Sequence, residues 1–180
     1  MKNKLLIQNL SGIFVNLREV KLDDAEFILK LRTSGRAQFL NKTQDNITLQ
    51  YEYIKNYFSK KNEVYFIIEN KFNKKLGTIR ISSINLHDKT FEEASWIMSA
   101  DSWFKESIEG EYIAKNYAYN ILNLEKNLFE VRKKNRSVIN FHKMYGSRII
   151  REDNLNVYLE LTKQSFNENK NKILKIIHGK

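Results

Sequence analysis

A strand–turn–helix–strand pattern occupies residues 128–148, which read LFEVRKKNRSVINFHKMYGSR. Apolar residues predict the end of a buried strand at 128–131, and polar residues predict a turn at 132–135. Ser137 can act as the N-cap of a helix that Gly146 is placed to end. The helix itself is indicated by side chains at helical spacing, namely Val138, Phe141 and Tyr145. A second strand is predicted at 147–150, so one helix connects two strands.

Hydrophobic periodicity predicts further strands and helices on both sides of this pattern. Strands are predicted at 12–20, 63–69, 76–86, 91–98 and 157–161. Helices are predicted at 25–32, 48–60, 111–124 and 167–177, with a loop or helix entry at 99–110. The order is therefore β-α-α-β-β-β-α-β-α-β-β before a final helix. The sequence contains no repeat, linker or low-complexity block, so one mixed α/β (α+β) domain is predicted over residues 1–180.

Composition restricts the class of protein. The chain has 180 residues, of which 42% are hydrophobic and 29% are charged, as is typical of a folded domain with one sizeable core. It has no cysteine, which excludes a disulfide framework and a cysteine metal site, and its three histidines are widely separated. We therefore predict that the protein binds no metal.

The net charge of +10 raises the alternative of a nucleic-acid-binding module. The basic residues are scattered singly or in pairs, however, and the sequence contains no recognisable binding motif. Residues 5–10 are apolar but interrupted by Gln8 and Asn9, and no apolar run is long enough to span a membrane. We predict a cytoplasmic monomer or homodimer with neither a membrane nor a nucleic-acid partner.

The 128–148 stretch resembles the second half of the acetyl-CoA site in the GNAT superfamily of acyl-CoA-dependent N-acetyltransferases. The positions that carry the resemblance are Val131, Asn135, Val138, Phe141, His142 and Gly146. Two positions depart from the family pattern, because His142 stands in the usual place of a tyrosine and Ser147 in that of a phenylalanine. The order of elements is also similar, so the resemblance covers about residues 12–166.

This resemblance implies a GNAT-like fold with a mixed, mostly antiparallel central sheet, flanked by helices and splayed between strands 91–98 and 128–131. It places the co-substrate acetyl-CoA in that opening. The thioester arm would bind backbone groups on the first of these strands, and the pyrophosphate would face the N-terminus of the next helix, which favours anions. The cofactor-binding residues implied are Ile97, Met98, Ser107, Ile108, Glu109, Gly110, Asn135 and Phe141.

The segment KESIEG at 105–110 departs from the family's glycine-rich phosphate signature. Only Gly110 fits, while Glu106 and Glu109 bring carboxylates close to where phosphates would bind. Backbone amides near Ser107 can still bind the pyrophosphate if both carboxylates point away. The alternative is that CoA binding has been altered or lost.

The catalytic residues implied by the resemblance lie on the 137–145 helix and the 91–98 strand. His142 takes the place of the tyrosine that commonly protonates the leaving thiolate, and an imidazole can supply that proton. Tyr145, one turn further, is a substitute acid, although core packing is the alternative role for either side chain. Glu93 is the candidate base; since Glu92 points to the opposite face, at most one of the two faces the cleft.

The acceptor side in the family is formed near the first helix, where this chain offers Arg32, Phe39, Asn41 and Lys42. The pairs Ser95–Trp96 and Phe141–His142 resemble a bacterial subgroup associated with amino-sugar and surface-polysaccharide pathways, which adds Trp96 as a substrate-binding candidate. We therefore predict transfer of an acetyl group to the primary amine of a small molecule, favouring a nucleotide-linked amino sugar. The alternatives are protein N-terminal acetylation and a non-catalytic ligand-binding relative.

Overall fold

The computed structural model of the protein describes residues 10–179; the apolar residues 5–9 discussed above lie outside this range. The strands are β1 (Leu10–Ser11), β2 (Val15–Glu19), β3 (Val64–Asn70), β4 (Lys75–Asn85), β5 (Thr90–Met98), β6 (Lys126–Arg132), β7 (Arg148–Glu152) and β8 (Asn156–Thr162). The helices are α1 (Ala25–Thr33), α2 (Ile47–Ser59), α3 (Phe104–Asn116), α4 (Arg136–Met144) and α5 (Lys163–His178). Beyond the short β1, the predicted order of elements is confirmed.

The eight strands within residues 10–179 form a single sheet in the order β1-β2-β3-β4-β5-β6-β8-β7. Every neighbouring pair is antiparallel except β5 and β6, which are parallel. The connection between these two parallel strands contains α3, as expected because a parallel pair needs a long crossover. The predicted mixed, mostly antiparallel sheet flanked by helices is therefore confirmed.

The central strand β3 is buried on both faces, which explains its almost uninterrupted apolar sequence VYFII. Alternate residues point to opposite faces of a strand. Val64, Phe66 and Ile68 accordingly join the large core that α3 and α5 cover, whereas Tyr65 and Ile67 join a smaller core with α1 and α2. The molecule is thus a sheet between two helical layers.

The sheet opens between β5 and β6. These strands pair only at their beginnings, through Thr90 with Lys126 and Phe91 with Asn127. Beyond that point β6 continues to pair with β8 along its whole length, so it diverges from β5 as a unit with β8. The predicted splay between strands 91–98 and 128–131 is confirmed.

Three predicted helix starts are wrong. The final helix, predicted from residue 167, begins at Lys163, where the Thr162 side chain caps it by accepting a hydrogen bond from the Ser165 amide (3.1 Å). The helix predicted from Glu111 begins at Phe104, because the Glu106 carboxylate accepts a hydrogen bond from the Trp103 amide (2.7 Å) and caps the first turn. Ser137 is not an N-cap but lies in the first turn of α4, where its hydroxyl bonds Asn135 Oδ1. Within residues 10–179, no helix combines the length and the apolar character needed to cross a bilayer.

Candidate active site

The opening between β5 and β6 is held at its base by a side chain. Asn127 on β6 accepts a hydrogen bond from the backbone amide of Glu93 on β5 (3.0 Å). Further along β5, the register against β4 shifts around Ser95, whose φ of +53° marks a bulge. Thr78 donates to the Ser95 carbonyl (2.9 Å) and fixes this bulge. The β6-facing edge of β5 is therefore free of strand pairing where the strands diverge.

A pocket of about 470 Å³ borders this opening. It is lined by α1, α2, the segment 39–44 and the facing parts of β5 and β6. Four predicted acceptor residues line it, namely Arg32, Phe39, Asn41 and Lys42, and so do Glu92 and the predicted base Glu93. The expectation that at most one of these two glutamates faces the cleft is therefore not met, and the Glu93 carboxylate itself is buried against Lys115. The structure therefore brings these residues together around one cavity next to the opening.

Two arginines hold the 39–44 segment over the pocket. Arg32 on α1 donates to Thr43 Oγ1 (3.0 Å) and to the Asn41 carbonyl (2.7 Å). Arg132 on β6 donates to Asn41 Oδ1 (3.1 Å). Asn41 is therefore fixed to both sides of the opening, a role that its position in an irregular polar segment did not reveal.

The pocket contains further charged and aromatic residues that the sequence analysis missed. Arg80 on β4 reaches the hydroxyl of Tyr53 on α2, and both residues line the pocket together with Arg132. Strand alternation alone could have placed Arg80 on the face of β4 that carries α1 and α2. The contribution of Arg132 depends on the opening of the sheet and carries no local sequence signal.

Trp96 does not line this pocket, and its role as a substrate-binding residue stays a prediction. Its ring packs against Phe141 (5.4 Å between centroids) and His142 (6.3 Å) on α4. Its Nε1 is buried and has no hydrogen-bond partner among the described residues. Because the bulge at Ser95 alters the side-chain alternation along β5, Trp96 lies between the open strand edge and α4.

A cluster of buried ionisable side chains lies behind Glu93. The ammonium group of Lys115 on α3 contacts the carboxylates of both Glu93 and Glu111. It also lies 3.5 Å from His142 Nδ1. The hydroxyl of Tyr145 donates to the second oxygen of Glu111 (2.8 Å). Lys115, Glu111 and Tyr145 are all 0% exposed, so this is a fully desolvated ion-pair cluster.

Burial and charge set the protonation of this cluster. Burial raises the pKa of Glu111 to about 7, although Lys115 opposes this rise. Burial alone would lower the pKa of Lys115, but its two carboxylate partners raise it above its ordinary value, so the ammonium group stays charged. Burial, and to a smaller extent the nearby Lys115 charge, lowers the pKa of His142 well below 6.5, so its ring is neutral at neutral pH.

The cluster geometry explains why these acids can be buried together. One carboxylate oxygen each of Glu93 and Glu111 and one ring nitrogen of His142 all lie within 4.8 Å of one another. At this spacing the two carboxylates would repel each other without a positive charge between them. The Lys115 ammonium supplies that charge, because it touches both carboxylates. Removing one partner of such a cluster leaves an uncompensated buried charge, which is strongly destabilising.

Tyr145 is poorly placed for the catalytic role predicted for it. Its ring is fully buried against Phe166 and Phe141, and its hydroxyl is committed to Glu111. Burial further raises the pKa of the phenol well above its ordinary value. Tyr145 as a substitute acid stays a prediction, and in the structure its hydroxyl supports Glu111.

The predicted phosphate loop is contradicted. Since α3 begins at Phe104, residues 107–110 lie inside the helix, and the Ser107 amide bonds the Trp103 carbonyl (3.2 Å). Ile108 and Gly110 are buried, and a Cβ on Gly110 would approach Ile68 Cδ1 to 2.9 Å. Gly110 therefore permits close packing of α3 on β3 and has no free amide for a phosphate.

Glu109 binds backbone amides. Its carboxylate accepts hydrogen bonds from the amides of Ile13 (2.7 Å), Phe14 (2.6 Å) and Val15 (2.8 Å). The turn between β1 and β2 is thereby anchored to α3. The involvement of Glu109 in CoA binding stays a prediction, and this contact turns its carboxylate toward the β1–β2 turn. Glu106, which was also expected to point away from the pyrophosphate, instead caps the helix N-terminus.

The residues near the opening nevertheless fit an extended thioester. The unpaired edge of β5 before Ile97 and Met98 offers backbone groups, and Trp96 Nε1 is a buried donor that needs an acceptor. At the start of α3, Lys105 supplies a cation beside the Trp103 ring (5.4 Å), where helix amides lack internal partners. Asn135 and Phe141 of the predicted set lie at the start and on the inner side of α4.

A sheet opened between two parallel strands, with a polar pocket on one side and buried ionisable groups on the other, defines an acyltransferase of the GNAT type. No protein-family model matches the sequence, and a comparison with curated proteins finds no match either. Among solved structures, the chain is similar to apo FdhC, described as a nucleotide-linked sugar GNAT. The two share 30% identity over 94% of this chain and 98% of FdhC, with a TM-score of 0.84.

A variant of the spermidine N-acetyltransferase SpeG from Vibrio cholerae is similar in fold. It is 16% identical, with 85% of this chain and 96% of that chain covered and a TM-score of 0.73. The likeness to FdhC extends over nearly the whole of both chains. The protein therefore belongs to the GNAT superfamily of acetyl-CoA-dependent N-acetyltransferases.

Proposed function

We propose that the protein transfers an acetyl group from acetyl-CoA to the primary amine of a nucleotide-linked amino sugar. The observation that carries this proposal is the concentration of cationic side chains around a pocket that adjoins the opening of the sheet, namely Arg32, Lys42, Arg80 and Arg132. The similarity to a nucleotide-linked sugar GNAT gives independent support.

The electrostatics of the pocket favour a phosphate-bearing acceptor. Arg32 and Arg132 form their hydrogen bonds with neutral groups, and neither forms an ion pair within residues 10–179. Their charges therefore remain available to an anion, and arginine suits phosphate oxygens because its planar fork can donate twice. Glu92, Glu93 and Glu130 also line the pocket, so its four cations exceed its carboxylates by one.

Aromatic side chains suit the remaining parts of such an acceptor. Phe39 and Tyr53 line the pocket and present rings that can stack on a base or a sugar face.

Peptide acceptors of N-terminal acetyltransferases need an extended groove. Here Asn41 is bonded to α1 and to β6, so the 39–44 segment crosses the pocket.

In this proposal Glu93 and His142 perform the proton transfers of amide formation. Glu93 borders the acceptor pocket and takes the proton that the amine loses as it attacks the thioester. His142 gives a proton to the leaving thiolate from the α4 side of the opening. A backbone amide on the free edge of β5 stabilises the oxyanion.

The test is an acetylation assay with a panel of nucleoside-diphosphate amino sugars, the matching free amino sugars, spermidine and an N-terminal peptide. Thiol release and product mass should report transfer to a nucleotide-linked sugar in preference to the other acceptors. Arg132→Gln should raise KM for that substrate roughly 10- to 100-fold, the value of a charge-assisted hydrogen bond, and raise KM for the free sugar far less, since there only the support of Asn41 is lost. Arg148→Gln, on β7 and outside the pocket, is the matched control.

Binding experiments separate the alternatives. Acetyl-CoA should raise the melting temperature by mass action, and so should the correct nucleotide sugar. Calorimetry that detects no acetyl-CoA binding, even with acceptor present, would favour the non-catalytic relative. Preferential acetylation of the peptide would favour protein N-terminal acetylation instead.

A further inference from the structure

Lys115 lies at the centre of the buried cluster and touches every group in it that could move a proton in the reaction. Its ammonium group contacts Glu93 on β5, Glu111 on its own helix, and His142 Nδ1 on α4. Glu93 borders the acceptor pocket, whereas His142 packs against Trp96 on the other side of the opening. One buried cation thus connects the two sides on which protons are lost and gained.

Two groups face His142 Nδ1, namely the Lys115 ammonium at 3.5 Å and Glu111 Oε1 at 3.7 Å, and the closer contact with Lys115 favours a tautomer without hydrogen on Nδ1. An ammonium group can only donate, so the nitrogen that faces it must accept. A neutral imidazole carries one hydrogen, and since Nδ1 accepts from Lys115, the hydrogen resides on Nε2. His142 can therefore act as an acid without first becoming an imidazolium, provided that Nδ1 receives a proton while Nε2 loses one.

We propose that Lys115 joins Glu93 and His142 into one proton-transfer chain, an inference that rests on the proposed function. Glu93 gains the proton lost by the acceptor amine. The Lys115 ammonium passes a proton to His142 Nδ1 as His142 releases its Nε2 proton to the departing sulfur, and the neutral Lys115 amine then takes the proton held by Glu93. Each residue gains and loses one proton, so the cluster ends with its original net charge and the opposite histidine tautomer.

Glu111 and Tyr145 hold Lys115 in position in this proposal. Glu111 contacts Lys115 from the preceding helical turn and is itself bonded by the Tyr145 hydroxyl. Neither residue lines the pocket, so both act through Lys115 and are positioning residues. If the cluster were only a structural ion pair, Lys115 would not need a histidine as its third contact.

The first test measures the histidine directly, without substrate. In ¹⁵N-labelled protein, the ring signals of His142, assigned by their loss in His142→Gln, should show a neutral ring with hydrogen on Nε2 at neutral pH. In the charge-matched double variant Lys115→Met/Glu111→Gln, this tautomer preference should disappear. A neutral ring with hydrogen on Nδ1, or an imidazolium, in the unmodified protein would overturn the chain.

The second test compares kinetics. Lys115→Met/Glu111→Gln removes one positive and one negative charge, so the net charge of the cluster is unchanged. Glu93 is left as a buried carboxylate without its cation, and the melting temperature of the variant shows whether it still folds. Its kcat should fall roughly 100-fold or more, the usual contribution of positioned acid–base groups, while KM for both substrates stays close to that of the unmodified protein. The solvent deuterium dependence of kcat should be curved in the unmodified protein, because several protons move, and linear in the variant.

A second variant controls for loss of a buried ion pair as such. Asp24 is 1% exposed and pairs with Arg18 and Lys75 at the start of α1, outside the pocket. Asp24→Asn should lower the melting temperature and leave kcat unchanged. An unchanged kcat in the Lys115 double variant overturns the relay and leaves the proposed function intact. An unmodified protein that transfers no acetyl group to any nucleotide-linked amino sugar refutes the proposed function and, with it, the catalytic use of the chain.

Discussion

Burial fixes the protonation state of His142 and thereby the chemistry open to it. A solvated histidine with an ordinary pKa can give a proton as an imidazolium, but this ring is buried and faces the Lys115 charge, which lowers its pKa well below 6.5. The resemblance of residues 128–148 to the family singled out His142 in the sequence. Lys115 was missed because Glu111 and Lys115, four residues apart on a helix, form a pattern that is usually a solvated surface pair.

Substitution of the two aromatic positions on α4 should separate catalysis from support. His142→Phe should lower kcat roughly 100-fold or more, since the thiolate loses its acid, while the acetyl-CoA affinity measured by calorimetry stays nearly unchanged. Tyr145→Phe should keep most of the activity and lose about 1–2 kcal/mol of unfolding free energy, because Glu111 loses a buried hydrogen bond. A silent His142→Phe combined with an inactive Tyr145→Phe would reverse these assignments.

At the scale of elements, the start of α3 shows why the phosphate site was misplaced. The N-cap position is occupied by Trp103, which offers no capping side chain, so no serine, threonine or aspartate marked the helix start in the sequence. The cap is instead supplied from within the helix by Glu106. Both glutamates that seemed to disfavour phosphate are thus structural, Glu106 at the cap and Glu109 in the contact with the β1–β2 turn.

The contact between Glu109 and that turn should be a large contribution to stability. Glutamine retains one acceptor oxygen and presents an amide to backbone donors, so Glu109→Gln should lower the unfolding free energy by roughly 2–4 kcal/mol, the range for lost charge-assisted bonds. Urea denaturation is the measurement. Glu106→Gln serves as the matched control on the same helix and should lose about 1 kcal/mol or less, as caps do. Equal losses in the two variants would contradict the anchoring role.

At the scale of the whole molecule, the order of elements and the opening of the sheet could be predicted from the sequence. Periodicity located β3 to β6, because their apolar patterns are regular, and the resemblance of residues 128–148 placed the opening. Only part of the pocket lining could be predicted from the sequence. Arg32, Phe39, Asn41 and Lys42 were found near α1, whereas Arg80 and Arg132 converge with them only through the folded sheet. The ion cluster joins β5, α3 and α4, and such long-range contacts leave no local signal.

The unfolding free energy of the whole domain should depend on pH through Glu111. Its pKa is raised from 4.5 to about 7, chiefly by burial, so the folded state binds this proton more tightly than the unfolded chain does. The stabilisation from this group is therefore complete below about pH 4.5 and is lost as pH rises through about 7. Lys115, Glu93, Tyr145 and His142 face the group and determine the size of the effect.

Urea denaturation of the unmodified protein and Glu111→Gln at several pH values between 5 and 7 isolates this effect. The unfolding free energy of the unmodified protein minus that of the variant should decrease across the window by roughly 3 kcal/mol at most, at 1.36 kcal/mol for each pKa unit. The lowered pKa of His142 works in the opposite direction, since the unfolded chain takes up that proton as pH falls below about 6.5. It is common to both proteins and cancels in the difference. A difference that stays constant from pH 5 to 7 would mean that Glu111 remains ionised in the folded state, held so by Lys115.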